Sequence, residues 1–220
     1  MRKHYPLKFP EVYVASDKWA NPQKMWDERF SQPEAVYGET PNAYLQAQAF
    51  WLRPGMRVLV PADGYGRNGV WLAKQGLQVH TVDLSPVGVE RARKAAQAAG
   101  LGMTIELADL STWKWPVEEF DAAVSIFLHL SPGLRAKINA SMLRALRPGG
   151  LVIIEAFTPA QLQHSSGGPK QLELLYTADM LRQDFASAEV VELEETEIEL
   201  GEGHMHRGPA AVVHGVFRKN

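Results

Sequence analysis

Val58-Leu59-Val60-Pro61-Ala62-Asp63-Gly64-Tyr65-Gly66-Arg67-Asn68-Gly69 is a short apolar run that breaks into a glycine-rich turn and continues into a segment of helical period. A strand followed by such a turn and a helix exposes unpaired backbone N–H groups, and glycine leaves room for a ligand to approach them. Asp83 follows at the end of the next apolar run, where a carboxylate can accept both hydroxyls of a ribose. The pairing points to an adenosine-containing cofactor. A tight turn without a ligand is the alternative for the glycines, and a helix cap for Asp83, although Ser85 already supplies a capping side chain.

Working outward, β-branched runs at 57–60, 78–82, 103–108, 122–127 and 151–157 alternate with segments of helical period, the rhythm of βαβ units around a parallel sheet. The helices carry their own punctuation. One runs from about Asn68 to Gln75 and ends at Gly76; Ser85-Pro86 opens a second that Gly100 closes; Ser131-Pro132 opens a third with Leu134, Ile138, Met142 and Leu146 on one face. Arg147-Pro148-Gly149-Gly150 predicts a turn into the fifth strand. Residues 158–176, with Gly167-Gly168-Pro169, read as a lid, and 178–185 as a short helix. Val190 to Leu200 alternates apolar and acidic residues, and Ala210 to Phe217 answers it as an antiparallel partner. This divides the chain into an extension (1–24), an aromatic-rich cap that packs against the sheet or covers its crevice (25–56) and the sheet with its lid (57–220), with Met25 as a second candidate start.

Composition mostly excludes. The 220 residues suit one large domain, and the formal charge of −2 offers no footprint for nucleic acid or anionic membrane. With no cysteine there is no disulfide framework, thiolate nucleophile or Cys-bound metal. No apolar run approaches the ~20 residues of a membrane span, and Pro6 and Pro10 break any signal-like segment. A cytoplasmic monomer or homodimer acting on a small molecule is the expectation. His204-Met205-His206 lacks a third clustered ligand and reads as an exposed hairpin, so no metal is expected; Arg91, Arg93 and Lys94 read as a solvated helix face.

The glycine spacing also suits NAD(P), but no Tyr-x-x-x-Lys occurs. Ala108-Asp109-Leu110, after the third strand, offers a second carboxylate and an apolar neighbour for an adenine, which favours S-adenosylmethionine (SAM). The order of glycine loop, Asp83, Asp109-Leu110, Phe120-Asp121-Ala122-Ala123-Val124-Ser125 and Leu146-Arg147-Pro148-Gly149-Gly150 resembles class I SAM-dependent methyltransferases. Trp26-Asp27-Glu28-Arg29-Phe30, Tyr37-Gly38-Glu39-Thr40-Pro41-Asn42 and Gly167-Gly168-Pro169-Lys170 resemble the small bacterial tellurite-resistance and thiopurine methyltransferase group. The resemblance implies an α/β, Rossmann-like, doubly wound sheet of seven strands, mostly parallel, whose last two form the antiparallel pair. It departs from the family where Val60 replaces the motif acid and Ala62 the first glycine. Asp63 is the candidate substitute, facing the methionine ammonium, with a turn-stabilising Asp as the alternative.

The cofactor-binding candidates are Trp26, Arg29, Ala62, Asp63, Gly64, Gly66, Arg67, Asp83, Leu84, Asp109, Leu110 and Ser125, with Arg29 assigned to the methionine carboxylate; a core Trp26 and a surface ion pair at Arg29 are the alternatives. Phe127, Glu155, Phe157, His164, Lys170 and Tyr176 are the acceptor-side candidates. Methyl transfer from a sulfonium needs alignment more than acid–base chemistry, and His129 is the candidate base, with a structural histidine as the alternative. The implied function is methyl transfer to a small soft nucleophile such as a thiol or chalcogen; a non-catalytic SAM binder and an NAD(P)-dependent oxidoreductase are the alternatives. Asp83→Ala is expected to lose cofactor affinity with the fold intact.

Overall fold

Leu59 faces one side of the central sheet and its neighbours Val58 and Val60 the other, so the first strand is buried on both faces, as a parallel sheet between helices requires. The structure, a computed structural model, describes residues 21–220; most of the N-terminal extension, with Tyr5, Tyr13 and Trp19, lies outside the described residues. Seven strands are arranged β3-β2-β1-β4-β5-β7-β6: β1 (Arg57–Pro61), β2 (Gln78–Asp83), β3 (Thr104–Leu107), β4 (Phe120–Ile126), β5 (Leu146–Phe157), β6 (Ala188–Gly201) and β7 (Arg207–Lys219). The first five are parallel; β7 runs antiparallel to both β5 and β6. This is the expected mostly parallel sheet with its antiparallel C-terminal pair.

Six α-helices occur among the described residues: α1 (Pro22–Phe30), α2 (Ala43–Ala47), α3 (Arg67–Lys74), α4 (Pro86–Ala98), α5 (Pro132–Ala145) and α6 (Ala178–Asp184). Ile138 and Met142 of α5 and Leu181 of α6 pack on the Leu59 face, while Leu45 of α2 and Leu72 of α3 pack on the Val58 face. Burying each such side chain stabilises the fold by about 1.5–3 kcal/mol. The Ser85 hydroxyl accepts from the Gly88 N–H at 3.0 Å and caps α4; Ser131 occupies the corresponding position of α5 but its side chain makes no capping bond. Residues 147–150 are not a turn between elements: Phe120 pairs with Leu146 and Ala122 with Leu151, so the four residues bulge out of β5.

Helix α1 docks over the glycine loop. The Ser85 hydroxyl donates to the Asp27 carboxylate, and Arg91 donates to the carbonyls of Phe30 (2.7 Å) and Gln32 (2.9 Å). Arg91 therefore tethers the cap instead of standing in solvent. A Cβ on Gly64 would come within 2.7 Å of the Phe30 ring, and one on Gly88 within 2.9 Å, so these glycines admit an aromatic side chain of the protein itself. No described helix is long and apolar enough to cross a membrane.

Candidate active site

Two cavities open beyond the C-terminal ends of β1, β2 and β4, and they share Trp26, Phe30, Ala62, Phe127 and His129. Open α/β sheets bind ligands at this edge, where the strand order reverses on either side of β1. The first cavity brings together Asp83, Leu84, Asp109 and Leu110 with the apolar side chains of Leu128, Leu130 and Leu134. The second is bordered by Arg29, Tyr37, Asp63, Gly64, Arg67, Phe157, Gly167, Gly168 and His206. Ala62 and Phe127, at the junction, both have left-handed backbones (φ 57° and 53°), the strained geometry that concentrates at binding sites.

Ala62, where the resemblance expects the first glycine, thus adopts a left-handed backbone that favours glycine. A left-handed non-glycine residue costs about 1–2 kcal/mol, and glycine loses about 0.5–1 kcal/mol of that through its own chain entropy. Ala62→Gly is expected to raise the melting temperature by about 1–4 °C, measurable by calorimetry.

The first cavity has a lining of carboxylates and leucines. Asp83 Oδ2 accepts from the Gly64 N–H at 2.7 Å and Oδ1 from the Ser85 N–H at 2.8 Å, which aims a buried carboxylate at the cavity while each oxygen keeps a second acceptor site. Burial raises the Asp83 pKa, and these two N–H groups oppose the rise. Asp109 is exposed at the opposite end, its Oδ1 accepting from the Ser111 N–H at 2.8 Å, with Leu110 as apolar wall beside it. In the second cavity the Arg29 guanidinium lies 4.9 Å above the Trp26 ring and donates to the Tyr37 hydroxyl at 2.9 Å. Its remaining N–H groups leave it competent to hold a carboxylate.

Other candidates are placed elsewhere. Asp63 Oδ2 accepts from the Gly69 N–H at 3.0 Å, while Oδ1 is sealed from solvent without a partner; this is the turn-stabilising alternative, and the ammonium role requires the side chain to move. Burial pushes its pKa up from an ordinary 3.8 to about 8, with the Gly69 N–H opposing. The folded state therefore holds a proton that the unfolded chain releases near pH 4, so this contribution to stability is lost as pH rises towards 8. Asp63→Asn is expected to melt higher than the parent at pH 8 and to flatten the pH dependence; equal melting at pH 5 and 8 in both proteins would remove the buried-acid argument.

Gly66 (φ 87°) begins α3 and lies against Ala92, outside both cavities. Arg67 borders the second cavity, but its guanidinium is committed to the Glu202 carboxylate (2.7 Å) and the Tyr37 carbonyl (2.9 Å). Ser125 is buried inside β4, one residue short of the cavity wall, which starts at Ile126. Glu155 is spent on a buried clamp, accepting from Asn42 Nδ2 and pairing with His214 Nε2 at 2.9 Å. His164 and Lys170 lie outside both cavities: His164 approaches Glu197, the Lys170 ammonium donates to the His164 carbonyl, and the lid reaches the cavity through Gly167, Gly168 and Pro169 instead. Tyr176 is buried behind the wall, its hydroxyl accepting from the Leu130 N–H at 2.9 Å.

His129 stands at the junction but has no free nitrogen. Nδ1 contacts the Leu174 carbonyl at 2.7 Å and Nε2 accepts from the Phe157 N–H at 3.2 Å, which sets the proton on Nδ1. Burial lowers its pKa to about 4, despite the Leu174 carbonyl. The geometry is that of the structural alternative: His129 braces the lid against β5 and leaves no lone pair for a substrate proton.

Two site features escape the sequence. Phe30, one residue from Arg29, lines both cavities, and the β6–β7 connection delivers His206 into the second one. His206 is buried, in contrast to the exposed hairpin the sequence suggests; its ring centroid lies 4.5 Å from Tyr37 and 4.8 Å from Phe127. No local signal marks it, since the residues that bury it lie far away in the chain.

Residues 58–150 match the family model described as a methyltransferase domain. A thiopurine S-methyltransferase of Nitrosospira multiformis is 38% identical over 73 residues, 31% of this chain and 32% of that protein. A probable thiol methyltransferase of Arabidopsis thaliana is 32% identical over 120 residues, 53% of this chain and 51% of that one. The chain spans about a third to a half of the length of the curated relatives it matches. A solved structure described as converting a disulfide bond into a thioacetal group during echinomycin biosynthesis superimposes with a TM-score of 0.73 at 23% identity, covering 91% of this chain and 92% of that one. The fold is thus shared well beyond the stretch of clear sequence identity.

Proposed function

We propose that this chain, a class I methyltransferase in fold and in the domain its residues 58–150 match, binds SAM across the joined cavities and methylates a small soft nucleophile. The observation that carries the reading is the pairing of a carboxylate-and-leucine cavity with an aromatic-walled one through a shared junction. In this reading Asp83 accepts the ribose hydroxyls, Asp109 an adenine amino group, and Leu84 and Leu110 give the base apolar contact; their lining of one cavity supports it. Arg29, on the wall of the second cavity, pairs with the methionine carboxylate in this reading. When bound, SAM supplies an electrophilic methyl on a sulfonium. The chain's contribution is alignment: Trp26, Phe127 and Phe157 shape the space in which an acceptor lies in line, and the lid with α1 restricts water.

The thiol and thiopurine methyltransferase relatives support sulfur as the accepting atom. Incubation with SAM and a panel of thiols, selenite and tellurite, read as S-adenosylhomocysteine formed, tests the reading. Turnover with at least one soft nucleophile is expected. SAM binding in the calorimeter with silence across the panel would identify a binder without transferase activity, and binding of NADH but not SAM would overturn the cofactor.

A further inference from the structure

We infer that His206 is the catalytic base of this site, taking the proton from an acceptor that arrives as a neutral thiol, with Glu202 and Arg67 as its positioning residues. The inference rests on the methyl-transfer reading above and adds to it the protonation state of the substrate.

His206 forms part of the wall of the aromatic-lined cavity, and its buried Nδ1 has no hydrogen-bond partner among the described residues. A buried polar nitrogen without a partner is costly, and such exceptions call for a ligand or a role. The ring is held on its faces and edges by Tyr37, Phe127 and Phe157, at centroid distances of 4.5, 4.8 and 5.4 Å. Its Nδ1 lies 3.6 Å from Glu202 Oε2, past hydrogen-bond length but close enough to strengthen when the ring becomes charged. Glu202 in turn is fixed by Arg67 at 2.7 Å and by Asn42 Nδ2 at 3.0 Å. This is the order base, carboxylate, anchor that orients an imidazole for proton transfer. The Nε2 edge lies on the lid side, where Gly167 passes so closely that a Cβ there would sit 3.3 Å from Nε2.

Burial lowers the His206 pKa and Arg67 adds to the lowering, against the pull of Glu202 and Glu155. Tyr37 on the cap, His129 on the β4 side, and Arg29, Asp63 and Tyr65 of the same cavity are the other titratable groups around it among the described residues. The ring is therefore neutral at neutral pH and ready to accept. In the step, sulfur of the acceptor R–SH bonds to the methyl carbon, the methyl–sulfonium bond breaks with its electron pair going to the leaving thioether, and the thiol proton passes to His206 Nε2. The imidazolium then faces Glu202 and later returns its proton to water. His129, with both nitrogens engaged, has no part in this transfer.

The test compares two thiols of similar size, thiophenol, which is ionised at neutral pH, and phenylmethanethiol, which keeps its proton. His206→Asn and His206→Gln are assayed beside the parent, with SAM affinity and thermal melting as controls. Loss of the base costs about 10²-fold or more in kcat, so the parent-to-variant ratio for phenylmethanethiol is expected to exceed that for thiophenol by at least ten-fold. The acidic limb of the parent's kcat/KM profile, below the ordinary histidine pKa, is expected to vanish in the variants. Equal losses on both thiols, a rise in KM alone, or a parent that binds SAM and methylates neither thiol would each overturn the base assignment. A parent that does not bind SAM would instead overturn the reading beneath it.

Discussion

Asp83→Ala is expected to weaken SAM binding by about 10²-fold or more and, contrary to the expectation from sequence, to lower stability as well. Two hydrogen bonds from ribose hydroxyls to an ionised acceptor contribute about 1.5–3 kcal/mol each, which sets the affinity loss. The stability loss comes from the other side of the carboxylate. Asp83 accepts the Gly64 N–H at 2.7 Å and the Ser85 N–H at 2.8 Å, and it is buried. Truncation strands both donors at about 1–3 kcal/mol each, which is a large part of the 5–15 kcal/mol that holds a typical domain folded. Calorimetric titration with SAM at a temperature where the variant remains folded, together with its thermal melt, separates the two effects. SAM affinity unchanged in a folded variant would remove the ribose role.

Glu202→Ala is expected to damage the fold to a similar degree. Its carboxylate receives Arg67 at 2.7 Å, Asn42 Nδ2 at 3.0 Å and the Ala43 N–H at 3.2 Å, with both ion-pair side chains more than nine-tenths buried. Removing one member of a buried pair leaves the other charge unsolvated and costs about 3–5 kcal/mol, or about 6–20 °C in melting temperature for a chain of this size. The pair joins three distant parts of the chain: the start of α3, the cap before α2 and the tip between β6 and β7. Replacing both partners, Arg67→Met with Glu202→Met, is expected to recover much of the loss, because no buried charge remains. Urea denaturation of the two single variants and the double one completes the cycle. A loss below about 1 kcal/mol for Glu202→Ala would mean that the pair is solvated.

Much of the architecture was legible beforehand because its signals are local. Ser85-Pro86 and Gly76 punctuate helices wherever they occur, and the β-branched runs end within a few residues of the observed strands. The positions of Asp83 and Asp109 on the cavity wall were readable because parallel strands deliver the residues at and just beyond their C-terminal ends to the same edge of the sheet. The substrate side was less readable. Glu155 and Ser125 sit at or near strand ends, yet Glu155 is claimed by Asn42 and His214 from opposite ends of the chain, and Ser125 stops one residue inside. His129 was conspicuous as a titratable residue beside the crevice, but its nitrogens are engaged by Leu174 and Phe157, which no nearby motif announces.

The division follows the range of the forces. Hydrophobic period, turn chemistry and capping act over a few residues, so the order of strands and helices, the glycine loop and the two strand-end carboxylates were already present in the linear chain. Burial of polar groups is a property of the closed molecule. Only when the β6–β7 tip meets the start of α3 and the N-terminal cap does Glu202 find Arg67 and Asn42, and only then does His206 become a desolvated imidazole walled by Tyr37, Phe127 and Phe157 instead of an exposed histidine in a hairpin. Phe30 likewise acquires its place over Gly64 from the docking of α1 onto α4, a contact between segments that the chain separates by more than thirty residues.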